Sequence, residues 1–153
     1  MSMYPTEECY NLIKKFEDVR LKAYKCPAGA WTIGYGHTDG VKAGDKITEE
    51  QALEYLKSDV NAFAKKISKA LDADEIELDS IYQFDALVCF AYNVGVSALT
   101  KSTLWKRLKA KDYTNAAVQF LRWNKAQVDG KYVVLNGLTK RRTAEMNLFL
   151  KRD

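Results

Sequence analysis

Leu53, Leu56, Val60, Phe63, Ile67 and Leu71 place an apolar side chain at every third or fourth position, with no Gly or Pro between them. That spacing predicts an amphipathic helix of about six turns. Thr48 and Gln51 stand at capping-box spacing ahead of it, which fixes its start. A helix this long and unbroken constrains the whole chain, because it is long enough to bridge two lobes. The acidic stretch from Asp72 to Asp79 then reads as a loop.

The flanking segments fill in the rest. Thr6 can cap a first helix whose apolar face is Cys9, Leu12, Ile13 and Phe16, and Glu7 and Glu8 suit its positive dipole end. From Val19 to Thr38 the pattern changes. Pro27-Ala28-Gly29 marks a turn, and Trp31-Thr32-Ile33-Gly34-Tyr35 alternates, with Trp31, Ile33 and Tyr35 on one face. This predicts a β-hairpin or small sheet. Phe84 to Tyr92 is apolar apart from Asp85, as in a helix buried all round, and Gly95 is its stop. Helices at about 101–108 and 113–123 follow, then a short strand at 132–135, then a last helix capped by Thr139 with Ala144, Leu148 and Phe149 as its apolar stripe. The fold expected is α+β and mostly helical, with one small N-terminal sheet.

A chain of 153 residues suffices for one compact domain or two small lobes sharing a core, and needs no disulfide or metal to fold. No apolar run reaches the ~18 residues of a membrane helix. The first twenty residues lack a signal-peptide core, so the expectation is synthesis and retention in the cytoplasm unless something releases the protein. Cys9, Cys26 and Cys89 match no zinc motif, and a single His gives a metal site little support. Cys9 and Cys89 fall on apolar helix faces and read as small buried hydrophobes. The net charge of +4 suits an anionic partner, a cell wall or a nucleic acid, without choosing between them. The only tight basic cluster is Lys140-Arg141-Arg142, with no nucleic-acid motif beside it.

The chemistry concentrates between Glu17 and Thr38. General acid catalysis needs a positioned proton donor, and a carboxylic acid is a common choice. Glu17 lies near the predicted C-terminal end of the first helix, where the dipole opposes a carboxylate by ~0.3–1 kcal/mol. Cys26 and Thr32 flank the hairpin turn, so both lie near one end of the small sheet. Cys26 as thiolate is able to act as base, electrostatic stabiliser or nucleophile; as thiol it offers only a weak hydrogen bond. His37 is the only His, and reads as a structural residue that hydrogen-bonds across a turn rather than a general base. Gly34 and Gly36 let the backbone turn or approach a ligand closely. Gly-x-Gly with no third Gly or following Lys is not a phosphate loop.

Glu17, eight residues, position 26, five residues, Thr32, then Gly34-Tyr35-Gly36-His37 resembles the active-site signature of the bacteriophage-type lysozymes, the endolysins. That family carries an Asp at the place of Cys26. Further segments resemble it in order: Gln83 to Val88 with Phe90 to Gly95, then Ser102-Thr103-Leu104, Phe120 to Asn124 and Gly137 to Glu145. The resemblance implies a single lysozyme-like domain over 1–153. Its small β-sheet lobe spans about 18–60, and its larger helical lobe spans about 61–153 plus the first helix, the two joined by the long helix. It implies Glu17, Cys26 and Thr32 as the catalytic set, with Thr32 helping to hold the attacking water and an inverting outcome. Gly36, Tyr92 and Asn93 are implied to bind saccharide, and Arg141 or Arg142 to orient Glu17.

The function so implied is cleavage of the β-1,4 bond between N-acetylmuramic acid and N-acetylglucosamine in peptidoglycan, causing bacterial lysis. No cofactor or metal is implied. The partner is the peptidoglycan polysaccharide, not nucleic acid, with no membrane insertion. A monomer is expected, made in the host cytoplasm and dependent on a holin to reach the wall. Because Cys26 replaces a carboxylate, two alternatives stand beside this. One is a lytic transglycosylase forming 1,6-anhydromuramic ends, which needs one Glu only. The other is a peptidoglycan-binding protein that has lost catalysis.

Overall fold

The structure, a computed structural model, describes residues 3–152. Its elements in order are α1 (Glu7–Phe16), β1 (Arg20–Lys25), β2 (Trp31–Gly34), α2 (Glu49–Ala73), α3 (Ile81–Val94), α4 (Val96–Thr100), α5 (Thr103–Lys109) and α6 (Tyr113–Gln119). A single 3-10 turn (Phe120–Arg122), β3 (Lys125–Val128), β4 (Lys131–Val134) and α7 (Asn136–Leu150) complete the chain.

The long helix forms where its periodicity places it. Thr48 accepts from the Gln51 amide while the Gln51 side chain accepts from the Thr48 amide, closing the capping box. Its buried stripe is Ala52, Leu56, Val60, Ala64, Ile67 and Leu71. Leu53, expected on that stripe, is exposed instead, because the smaller Ala52 takes the contact with β2: a Cβ on Gly34 would lie 3.6 Å from Ala52. A larger side chain at position 52 would push the hairpin off the helix.

Helix α3 is the centre of the molecule. Every residue from Gln83 to Ala91 is buried, and α1, α2, α4 and α7 all pack against it. Gly95 stops it at φ +98, a conformation that penalises any Cβ. Asp85 is buried among these apolar residues because it caps its neighbour. Its two carboxylate oxygens accept from the Thr6 amide (2.8 Å) and the Thr6 hydroxyl (2.5 Å), while the Thr6 oxygen accepts from the Glu8 amide at the start of α1. Burial nevertheless pushes the Asp85 carboxyl above its ordinary value.

Strands β1 and β2 pair antiparallel, Lys25 opposite Trp31 and Tyr24 opposite Thr32, with an irregularity toward Arg20. Alternation on β2 is less clean than its sequence predicts. Thr32, Ile33 and Gly34 are all buried, since α2 covers one face and the fold of residues 35–37 the other. Two further expectations are corrected. The sheet is not the only one: β3 and β4 form a second antiparallel hairpin, Lys125 opposite Val134 and Gln127 opposite Tyr132. Nor does Thr139 cap the last helix. Helix α7 starts at Asn136 straight off β4, its N-cap Leu135 makes no side-chain cap bond, and the Thr139 hydroxyl accepts from the Asn124 amide instead (3.1 Å). The short α4 was not anticipated; its five residues are too few to show a period.

Candidate active site

Helix α1 ends at Glu17. Its backbone turns extended there (φ −99, ψ 111) while its amide still bonds to the Ile13 carbonyl. The side chain is thereby thrown off the helix end, a quarter exposed. One carboxylate oxygen, Oε2, accepts from Arg141 Nη1 at 2.6 Å. The other, Oε1, faces Gly36, lying 3.5 Å from where a Cβ on that residue would be. Gly36 adopts φ +86, so glycine is required by backbone geometry, and it lets the main chain pass beside the carboxylate. A Cβ there would also meet the Tyr92 ring at 3.8 Å.

Arg141 is itself held from three sides. Its Nε donates to Glu145 Oε2 (3.1 Å) and its Nη2 to the Cys89 carbonyl (3.1 Å). Arg142, the alternative for this role, turns away from Glu17. It donates to Glu145 Oε1 (2.5 Å), to the Trp123 carbonyl (3.0 Å) and to Asn93 Oδ1, with its guanidinium over the Phe90 ring. Glu145 thus accepts from both arginines inside the protein, all three side chains being nearly or fully buried. Two cations and two carboxylates make this cluster neutral, as a buried ionic group requires. Burial pushes the Glu145 carboxyl up, against the opposing pull of Arg142 and Arg141. The sequence reading names both arginines but not Glu145. Its spacing at i+4 and i+3 from them was the available signal.

Tyr92 and Asn93 leave α3 side by side but serve different partners. The Tyr92 hydroxyl donates to the Tyr35 carbonyl (2.5 Å), tying α3 to the residues after β2. Burial, with Asp59 and Glu17 nearby, pushes that phenol well up. Asn93 is exposed and anchored by Arg142. His37 does not act across the turn through its side chain. Its backbone pairs with Ile33 (2.8 Å each way), whereas Nδ1 bonds to Asp59 of α2 at 2.8 Å and the ring stacks on Tyr55 at 4.2 Å. Asp59 and Tyr55, four apart on one helix face, are partners that the sequence reading missed.

The hairpin end brings Cys26 and Thr32 together. The Cys26 amide donates to the Ala30 carbonyl (2.9 Å), and its carbonyl accepts from the Gly29 amide (2.8 Å), so the turn curls round the thiol. Backbone N–H groups of this turn, that of Ala30 foremost, and the Thr32 hydroxyl hold the Cys26 thiol below its ordinary value, against a partial desolvation that raises it. Thr32 Oγ1 donates to the Ala30 carbonyl (3.1 Å). The other two cysteines are elsewhere: Cys9 and Cys89 are buried and face each other between α1 and α3, sulfurs 3.5 Å apart. Glu17, Asn93 and Arg141 line a depression of about 390 Å³ together with Leu135, Gly137 and Leu138. Among the described residues no group of three or more His, Cys, Asp or Glu side chains is placed to hold a metal ion.

Known proteins resemble the chain along nearly its whole length. The family model described as phage lysozyme matches residues 14–145. An endolysin of Acyrthosiphon pisum secondary endosymbiont phage 1 is 42% identical over 147 residues, covering 96% of this chain and 98% of that one. An endolysin of Bacillus phage B103 is 48% identical over 143 residues, and there the chain spans only 51% of its relative's length. Among solved structures, the muramidase domain of SpmX from Asticaccaulis excentricus superposes with a TM-score of 0.89 at 33% identity, covering 99% of this chain and all of that one. The endolysin from Escherichia coli O157:H7 phage FAHEc1 gives 0.83 at 41% identity, covering 97% and 94%.

Proposed function

We propose that this chain, which belongs to the phage lysozyme family, is an endolysin that hydrolyses the β-1,4 bond between N-acetylmuramic acid and N-acetylglucosamine in peptidoglycan. The observation that carries the reading is the division of labour on one carboxyl group. Glu17 Oε2 is fixed by Arg141, Oε1 is left facing Gly36 beside the Tyr92 ring, and the residue borders an open depression. A proton on Oε1 is then aimed at the leaving glycosidic oxygen, with the rotation of the carboxyl already restrained.

Proton transfer from Oε1 to the glycosidic oxygen accompanies breaking of its bond to the anomeric carbon. Positive charge develops at that carbon and the ring oxygen. Thr32 holds a water, and the Cys26 thiolate takes its proton as the water oxygen bonds to the anomeric carbon from the opposite face. The products are an inverted reducing end, whose anomeric hydroxyl comes from the water, and a leaving sugar whose freed 4-hydroxyl carries the Glu17 proton, with the water's other proton on sulfur. The lowered Cys26 thiol supports this assignment, since the turn amides favour the anion that a base requires. Gly36, Tyr92 and Asn93 would border the sugar. Synthesis in the host cytoplasm, action as a monomer and release to the wall through a holin belong to the same proposal. Among the described residues no helix is long and apolar enough to cross a membrane.

Mass spectrometry of purified peptidoglycan digested by the wild type and by Glu17→Gln tests the reading. Reducing muramic acid ends from the wild type alone are expected. Ends lighter by one water would make the protein a transglycosylase, and no ends from either would make it a binder.

A further inference from the structure

Residues 101–134 differ from the rest of the chain in charge. They hold eight basic residues and two acidic ones, whereas the remainder holds sixteen basic and eighteen acidic. The same segment leaves apolar side chains in solvent. Val118, Leu121, Val128, Tyr132, Val133 and Val134 are six of the eleven large hydrophobic residues exposed among the described residues. Helix α5 packs on α6 and α6 on the 3-10 turn, from which the β3–β4 hairpin rises. Charge and apolar exposure therefore meet in one region of the helical lobe.

The hairpin carries the sharper signal. Every residue of β4 is exposed. Tyr132 pairs opposite Gln127 and Val134 opposite Lys125, so these four side chains share one face. On it Tyr132 is 70% and Val134 54% exposed. A two-stranded ribbon with its apolar side chains in water is marginal by itself, and an exposed apolar patch rimmed by polar residues marks a contact surface. Arg122, Lys125 and Lys131 stand on and beside this ribbon, and none has a carboxylate at salt-bridge distance among the described residues. The face is separate from the candidate active site: Leu135, just past β4, borders the depression beside Glu17, but no residue of the two strands does.

Unpaired cations around an exposed tyrosine and valine fit a surface that is anionic above and apolar below. Lysine stems lie along apolar surface while their ammonium groups stay in the polar layer, and tyrosine favours the headgroup level of a bilayer. A nucleic acid or a wall polymer would satisfy the charge and leave the valines in water. Helix α5 adds Lys106, Arg107 and Lys109, exposed opposite its buried Leu104, Trp105 and Leu108. We infer that the β3–β4 hairpin, backed by this basic segment, docks the protein on an anionic phospholipid surface. The ribbon lies flat at headgroup depth on its Tyr132–Val134 face. Two features hold it there: Asp129 charges the tip, and free strand edges carry N–H and C=O groups that hydrocarbon cannot satisfy. Docking of this kind crosses no membrane, and it does not depend on the hydrolase reading.

The test is flotation of the full chain with vesicles of phosphatidylcholine alone and of phosphatidylcholine mixed equally with phosphatidylglycerol. The protein should float with the mixed vesicles, not with the neutral ones, and should be released as salt is raised. Tyr132→Thr with Val134→Thr keeps residues suited to a strand and should weaken binding roughly tenfold. Lys125→Gln with Lys131→Gln should weaken it about fivefold per lysine removed. Lys65→Gln with Lys69→Gln takes as much charge from the exposed side of α2 and should leave binding unchanged. No binding by the wild type would overturn the inference. An equal loss in the α2 control, or no loss from the Tyr132/Val134 pair, would reduce the surface to bulk charge and overturn it too. So would a dimer in sedimentation velocity that the Tyr132/Val134 pair dissolves, which would give the face to a second copy. A raised KM on lipid-free peptidoglycan with vesicle binding intact would give it to the glycan instead.

Discussion

The candidate residues of the helical region and of the first hairpin are held by different means. On the helical side Glu17 is positioned by Arg141, which is fixed by Glu145, which is shared with Arg142, which holds Asn93. These residues come from three helices, and the links between them are charged and mostly buried. On the hairpin side Cys26 and Thr32 are set by a turn of a few residues, through backbone amides and one hydroxyl, with Cys26 partly exposed and Thr32 buried. A buried ionic network loses much when one member is removed, because its partner is left charged and dry. A turn loses little stability when a side chain on it changes. Glu17 is therefore held in fixed geometry, and position 26 is the one where a change of side chain costs the fold least.

Four substitutions would break or sharpen that contrast. Glu17→Gln should lower kcat about 10²- to 10⁴-fold, the range of general acid catalysis. The melting temperature should fall less than for a change at the fully buried Glu145, since Glu17 is a quarter exposed and Arg141 keeps Glu145; residual activity near wild type would remove Glu17 from the mechanism. Glu145→Gln leaves two buried arginines short of a counter-charge. It should cost about 3–5 kcal/mol in urea unfolding and reduce activity as Arg141 loosens, whereas a loss below about 1 kcal/mol would show the cluster to be hydrated.

On the hairpin side, Cys26→Ser should reduce kcat/KM roughly tenfold to a hundredfold with stability within about 0.5 kcal/mol, because a serine hydroxyl stays protonated. Cys26→Asp should keep or raise activity. The pH profile sharpens this: if the thiolate is the base, the rate rises with pH through the lowered thiol value, and Asp moves that rise to acid pH. A profile that ignores both changes would make position 26 dispensable.

The smallest effect lies far from the site, at Asp85. Burial raises its carboxyl above the ordinary 3.8, so the folded protein keeps this proton at a pH where the unfolded chain has released it. The stability it contributes is full below about 3.8 and is lost as pH rises through the folded value. The wild type's margin over Asp85→Asn, read from urea midpoints at successive pH values, should shrink as pH rises across that window; a margin that grows would reverse the sign.

Much of the architecture is local and so was legible in the chain. The capping box and uninterrupted period from Thr48 to Leu71 specify α2, the apolar run before Gly95 specifies α3, and Pro27 to Gly29 with the alternation after it specify the first hairpin. These follow from spacing and turn chemistry within a few residues, where backbone geometry is decided by near neighbours. The second hairpin was half visible: β4 has the residues of a strand, but β3, Lys-Ala-Gln-Val, lacks β-branched or aromatic density and becomes a strand only by pairing. Thr139 carried a cap signal that the entry from β4 overrode. In the site, the spacing of Glu17, Cys26 and Thr32 could be read along the chain. What the chain could not reveal was which arginine reaches Glu17, since Arg141 and Arg142 are adjacent and alike in sequence. Their positions on α7, about 100° apart around the helix, send one guanidinium to Glu17 and the other to Asn93. Only the packing of α7 against α1 and α3 decides which, because a contact between positions 17 and 141 depends on where three helices meet and not on what either residue's neighbours are.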